Sequence, residues 1–175
     1  MKLRTIGYEA ASLEEFLNAL LSSGVKHVID VRALALSRRR GFSKTRLREA
    51  LLAAGIQYSH IRALGNPADG RKAARSGRMK DFNRIFRAHL ATATAQEGLQ
   101  LAAALAAMTP AVLLCYEGES RHCHRSIVAA ALARINGFRI EHLKIHETKR
   151  KQEKRANRAR TNSRQGRAPT QPTAW

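Results

Sequence analysis

Residues 111–125 read Ala111-Val112-Leu113-Leu114-Cys115-Tyr116-Glu117-Gly118-Glu119-Ser120-Arg121-His122-Cys123-His124-Arg125. The first five are wholly apolar, which suits a short strand buried on both faces. Tyr116 to Arg121 is a loop rich in charge, and from about residue 123 to 135 an Ala/Leu-rich segment reads as a helix that Gly137 stops. A doubly buried strand feeding a helix is the unit from which parallel α/β sheets are built.

The flanking sequence repeats that unit. Lys2 to Tyr8 is a strand-like run, and Leu13, Phe16, Leu17, Leu20 and Leu21 recur at helical spacing behind Ser12, a good N-cap. Val25 to Val31 is a second strand. Ser43 caps a helix carrying Leu47, Leu51 and Leu52 that ends at Gly55, and Ile56 to Ile61 is a third strand. Gly65-Asn66-Pro67 and Asp69-Gly70 mark a loop, residues 79–93 and 95–108 read as helices, and Phe138 to Leu143 closes the pattern as a strand. The expected fold is a single α/β domain over residues 1–145, three layers deep, with a mainly parallel sheet between helices.

Composition narrows the class. In 175 residues, 32 Lys+Arg stand against 13 Asp+Glu, a net charge of +19, while 44% apolar residues suffice for an ordinary core. Residues 146–175 hold nine Lys/Arg and two Glu, a net +7 with almost no large apolar residue, and read as a flexible basic tail. The body still carries +12. Nucleic acid or another polyanion is the expected partner, met through the Lys/Arg surface and the tail without base-specific readout, since aromatics make up only 5%. No apolar run is long enough for a membrane span, and the amino terminus lacks a signal peptide's apolar stretch, so a cytoplasmic protein without membrane contact is expected. Two cysteines build no disulfide framework and in a reducing compartment are thiols, ligands or reactive groups.

In parallel α/β sheets, ligands bind beyond the carboxyl ends of the strands. There the sequence places Gly7 and Tyr8, then Asp30 and Arg32, then Tyr58 and His60, and finally Cys115 and Glu117 ahead of Cys123-His124-Arg125. Free N–H groups at a helix start favour anions and lower a thiol's pKa, which makes Cys123 the expected reactive thiolate and Cys115 the second choice. Glu117 and His124 are the candidate proton carriers. Asp30 and Arg32, two apart, point to the same side and would orient a polar or anionic substrate, with Arg125 as a bidentate clamp.

Taken in order, Thr5-Ile6-Gly7-Tyr8, Asp30-Val31-Arg32, Ser37-Arg38, Tyr58 with Leu64-Gly65, Leu114-Cys115-Tyr116-Glu117 and Cys123-His124-Arg125 resemble the domain-of-unknown-function 488 family over about residues 3–145. Cys-x-Glu followed by Cys-His-Arg is the most specific part. The resemblance implies a parallel α/β fold and places Gly7, Tyr8, Asp30, Arg32, Ser37, Arg38, Tyr58 and Arg125 around a pocket, but brings no established activity. Glu9 stands where the pattern has Ser, and Leu36 where it often has Pro.

Two sharper motifs are set aside. Cys115 to Arg121 has the Cys-x5-Arg spacing of a phosphatase loop, but Glu117 and Glu119 would repel a phosphate dianion. Cys115, His122, Cys123 and His124 are close in sequence, yet neighbours such as Cys123-His124 rarely chelate one ion and no spacing matches a zinc module, so neither metal nor cofactor is expected. What remains is an enzyme with a Cys/His/Arg/Glu pocket for a nucleotide-like or other anionic substrate, or a non-catalytic nucleic-acid-binding accessory protein with a basic tail.

Overall fold

In the computed structural model, which describes residues 1–145, five strands form one sheet in the order β3-β2-β4-β1-β5, every neighbouring pair parallel. The strands are β1 (Lys2–Gly7), β2 (His27–Asp30), β3 (Gln57–His60), β4 (Ala111–Cys115) and β5 (Arg139–His142). The helices are α1 (Leu13–Ser22), α2 (Lys44–Ala53), α3 (Ala68–Arg75), α4 (Met79–Leu90), α5 (Ala93–Met108) and α6 (His124–Asn136). The three-layer α/β architecture is thus as expected. The tail expected over 146–175 lies outside the described residues.

Side-chain alternation along the central strands builds two cores. Val28, Val112 and Leu114 pack with Phe16 and Leu20 of α1 and Leu47 and Leu51 of α2 on one face. Leu3, Ile29 and Leu113 meet Phe86 of α4, Leu99 of α5 and Val128 and Leu132 of α6 on the other. β4 has neighbours on both edges and helices on both faces, so all five of its residues are buried. That is the physical content of its unbroken apolar run.

Helix starts follow local chemistry. Ser12 caps α1 in a reciprocal box: its hydroxyl accepts from the Glu15 N–H at 3.1 Å and the Glu15 carboxylate accepts from the Ser12 N–H at 2.8 Å. Two expectations need correction. Residues 65–70 read as a loop, but α3 begins at Ala68, straight after Pro67. Its Gly70 is there for close packing, since a Cβ would sit 2.0 Å from the Asn66 Oδ1. The helix expected to run to residue 93 ends at Leu90, because Thr92 caps α5.

Strand order fixes where a site can form. β1 is followed by α1 on one face, whereas its neighbour β4 is followed by α6 on the opposite face. The connections diverge there, which makes the carboxyl ends of β1 and β4 the switch point at which open α/β sheets bind ligands.

Candidate metal centre

At that switch point Gly7 of β1 lies in register with Cys115 of β4. Leu114 points to the α1/α2 face, so Cys115 points the other way, beneath the start of α6. The chain then loops out through Glu117 and a single 3-10 turn, Ser120–His122, and returns at Cys123. Cys123 is the N-cap of α6, with φ −119° and ψ 137°, and His124 is the first helical residue. This switch from extended to helical backbone between the two lets neighbouring side chains converge on one point.

The convergence is tight. The Cys115 and Cys123 thiols both donate to the Glu117 Oε2, at 2.8 and 3.0 Å, and the His124 Nδ1 lies 3.6 Å from the Cys115 Sγ and 3.9 Å from the Cys123 Sγ. One ligand atom from each of Cys115, Glu117, Cys123 and His124 lies within 4.8 Å of all the others. The opposite ring nitrogen of His124 is 2.8 Å from the Val31 carbonyl oxygen, which can only accept. His124 Nε2 therefore carries a proton, and Nδ1 faces the two sulfurs and the carboxylate. His124 is buried and wedged edge-on against Phe86, so the ring has little freedom to turn.

Charge at the cluster is unbalanced. Burial pushes the Glu117 carboxyl up, but the thiol bonds outweigh it and hold the group below its usual range, as a carboxylate. Among the described residues no lysine or arginine pairs with that carboxylate. Burial raises both thiols, Cys123 well above its ordinary value. For Cys123, expected as a thiolate activated by the helix start, burial and the neighbouring Cys115 sulfur act in the opposite direction to the helix dipole. For His124, burial favours the neutral ring, but the Cys123 sulfur outweighs it and the pKa is raised.

Arg125, expected as a bidentate clamp, is bonded to the loop that carries Glu117. Its guanidinium is buried and donates to the Glu117 carbonyl and, at 2.9 Å, to the Gly118 carbonyl, so it ties the ligand loop to α6. Gly7 lets this loop come down onto β1, for a Cβ there would stand 1.7 Å from the Glu117 carbonyl oxygen. Gly7→Ala is expected to push the loop outward and cost about 3 kcal/mol, the upper end of overpacking. A urea-midpoint shift worth less than about 1 kcal/mol would refute that role for Gly7.

A second polar cluster lies at the ends of β2 and β3, on the α1/α2 face. The Asp30 carboxylate accepts from Arg32 Nε and NH2 at 2.8 and 2.6 Å, from the Arg32 backbone N–H at 3.1 Å and from the Tyr58 hydroxyl at 2.6 Å. Arg32 NH1 donates to the Tyr8 hydroxyl and the Phe42 carbonyl. Asp30 is fully buried and Arg32 is 5% exposed, and both are fully engaged with protein groups. Burial and the Asp30 charge push the Tyr58 hydroxyl up, keeping it a neutral donor. Tyr8, Asp30, Arg32 and Tyr58, expected to bind substrate, are thus brought together in one network of mutual hydrogen bonds. Ser37 accepts from the Arg39 N–H, and exposed Arg38 lines a separate cleft. The Val31 and Phe42 carbonyls, which orient His124 and Arg32, are backbone groups without a sequence signature.

A family model described as Domain of unknown function DUF488 matches residues 12–132. The chain belongs to this family. The matched span of the DUF488 domain holds all four converging ligands, while Gly7 and Tyr8 lie just before it and β5 just after. No curated protein and no solved structure matches the chain. Among the described residues, no helix is long and apolar enough to cross a membrane.

Proposed function

We propose that this DUF488 protein is a metalloprotein in which Cys115, Glu117, Cys123 and His124 hold one thiophilic divalent cation, zinc foremost. The observation that carries this reading is four ligand atoms within 4.8 Å of one another around a carboxylate that has no lysine or arginine partner among the described residues. A tetrahedral zinc ion, with Zn–S about 2.3 Å and Zn–N or Zn–O about 2.0–2.2 Å, sets its ligands roughly 3.3–3.8 Å apart. Small side-chain rotations bring the observed separations to that spacing. Two thiolates, an imidazole and a carboxylate suit zinc better than hard cations, which prefer all-oxygen shells. The His124–Val31 bond is the outer-shell contact that such a histidine ligand needs. Two thiolates and a carboxylate exceed the ion's charge by one, and buried Arg125 at the start of α6 supplies the balance. A bound ion would staple β4, the loop and α6 together and hold the carboxyl edge in shape.

In reduced protein, zinc at about 100 times its Kd is expected to add about 2.7 kcal/mol to stability, a rise in Tm of roughly 5–10 °C for a domain of this size. Magnesium is expected to leave Tm unchanged. No response to zinc would contradict the reading. Because burial keeps both thiols protonated at neutral pH, zinc must displace their protons. Apparent affinity therefore rises with pH, by up to about 100-fold per unit for two protons, and titration calorimetry in buffers of different ionisation enthalpy counts them. The competing reading, a Cys123 thiolate acting on a nucleotide-like substrate, predicts instead that Cys123 is alkylated at neutral pH faster than an ordinary thiol.

A second proposal concerns the partner and rests on charge. Residues 1–145 carry a net +12, and we propose that nucleic acid associates with this surface through its phosphates. The cytoplasm, where both thiols stay reduced, is the compartment that suits both proposals.

A further inference from the structure

Away from the cysteine centre, the connection between β2 and α2 folds into a firm loop. The Ser43 hydroxyl, although at the N-cap of α2, leaves the helix uncapped and instead accepts from the Ser37 N–H at 3.1 Å and donates to the Ser37 carbonyl at 3.3 Å. The Ser37 hydroxyl accepts from the Arg39 N–H, and the Lys44 N–H donates to the Ala35 carbonyl at 2.8 Å. Gly41 turns the chain with φ +89°, a conformation that L side chains rarely adopt. Arg39 anchors the loop to the start of α1, its Nε and NH2 donating to the Ala11 carbonyl at 3.2 and 2.8 Å.

This scaffold holds like charges close together. A cleft of about 910 Å³ is lined by Arg38, Arg39, Arg40 and Arg46, with residues 11–13 and Gly41 completing its wall. Among the described residues, no acidic and no aromatic side chain lines it. Among the described residues, exposed Arg38 and Arg40 have no carboxylate partner, and Arg46 has only the exposed Glu49 at 3.6 Å. Four guanidinium groups on one wall repel one another, and an anionic occupant relieves that repulsion. The forked geometry of Arg suits phosphate oxygens, while a lining without aromatics offers bases nothing to stack on.

We infer that this arginine cleft is the seat of the nucleic-acid backbone, gripping successive phosphates without reading bases. The inference rests on the proposal of nucleic-acid association and names the surface that performs it. The net +12 of residues 1–145 favours a polymer over a single phosphate, because the surrounding field draws in an extended chain of charge.

The test compares two triple variants of the full chain for binding to a short fluorescent DNA duplex of mixed sequence across a salt series. One is Arg38→Gln, Arg40→Gln, Arg46→Gln, with Arg39 left in place because it ties the loop to Ala11. The other removes the same charge elsewhere, at the exposed Arg75, Arg87 and Arg134. The cleft variant is expected to lose at least tenfold in affinity at physiological salt, with its salt slope reduced by about 2–3, one phosphate contact per arginine. The control variant is expected to change the slope by less than about 1. Equal losses in both triples overturn the cleft while nucleic-acid association stands. Absence of wild-type binding at low salt overturns the association itself. Heparin binding as tight as DNA and equally dependent on the cleft overturns nucleic acid as the partner class.

Discussion

Cys123→Ser is expected to weaken zinc binding by about 100- to 1,000-fold. A four-ligand structural zinc site is worth roughly 10–16 kcal/mol, so an even share per ligand is about 2.5–4 kcal/mol. Serine keeps the volume and the hydroxyl can still donate to Glu117, but it is not a thiolate at neutral pH. Cys115→Ser is expected to behave alike, since both sulfurs reach the same carboxylate oxygen. A chromophoric chelator in competition with the protein measures the loss, and the metal-free stability of each variant, read in urea, serves as control. If the variants retained wild-type affinity, the sulfurs would not be ligands and the centre as described would be wrong.

Asp30→Ala carries the other large effect, on stability. It leaves the Arg32 guanidinium buried with only the Tyr8 hydroxyl and the Phe42 carbonyl, and breaking a buried ion pair in this one-sided way costs about 3–5 kcal/mol. That is a large fraction of the roughly 5–15 kcal/mol that holds a domain folded. Asp30→Asn, which keeps an acceptor, is the milder variant if the alanine protein does not accumulate. Asp30 lies on the α1/α2 face and the cysteine centre on the other, so the asparagine protein is expected to bind zinc as the wild type does. A change below about 1 kcal/mol in the alanine protein would show that Arg32 has water or another partner in solution.

Much of this was legible in the sequence because it is local. The run Ala111–Cys115 has one reading as a strand, Ser12 and Glu15 form a box within one turn, and the paired spacing of Asp30 and Arg32 puts them on one side. The strand-end rule directed attention to Cys115, Glu117, Cys123 and His124, and these four do come together.

What was hidden depends on contacts between distant segments. Phe42, Tyr8 and Tyr58 arrive from three different parts of the chain to bond with Asp30 and Arg32. Spacing argued against a metal because Cys123 and His124 are neighbours. Only the change of backbone at the cap of α6, and the Val31 carbonyl that fixes the His124 ring, bring both side chains to one point. Dehydration, which sequence does not display, raises the Cys123 thiol where the helix start alone would lower it. The Arg39 anchor to Ala11 was hidden likewise, although the basic run around it was plain.

X-ray absorption at the zinc edge, on the full chain reduced and loaded with one equivalent of zinc, tests the metal centre most directly. The account predicts two sulfur neighbours at about 2.3 Å and two nitrogen or oxygen neighbours at about 2.0–2.2 Å. A shell without sulfur, or failure to retain one equivalent, would contradict it.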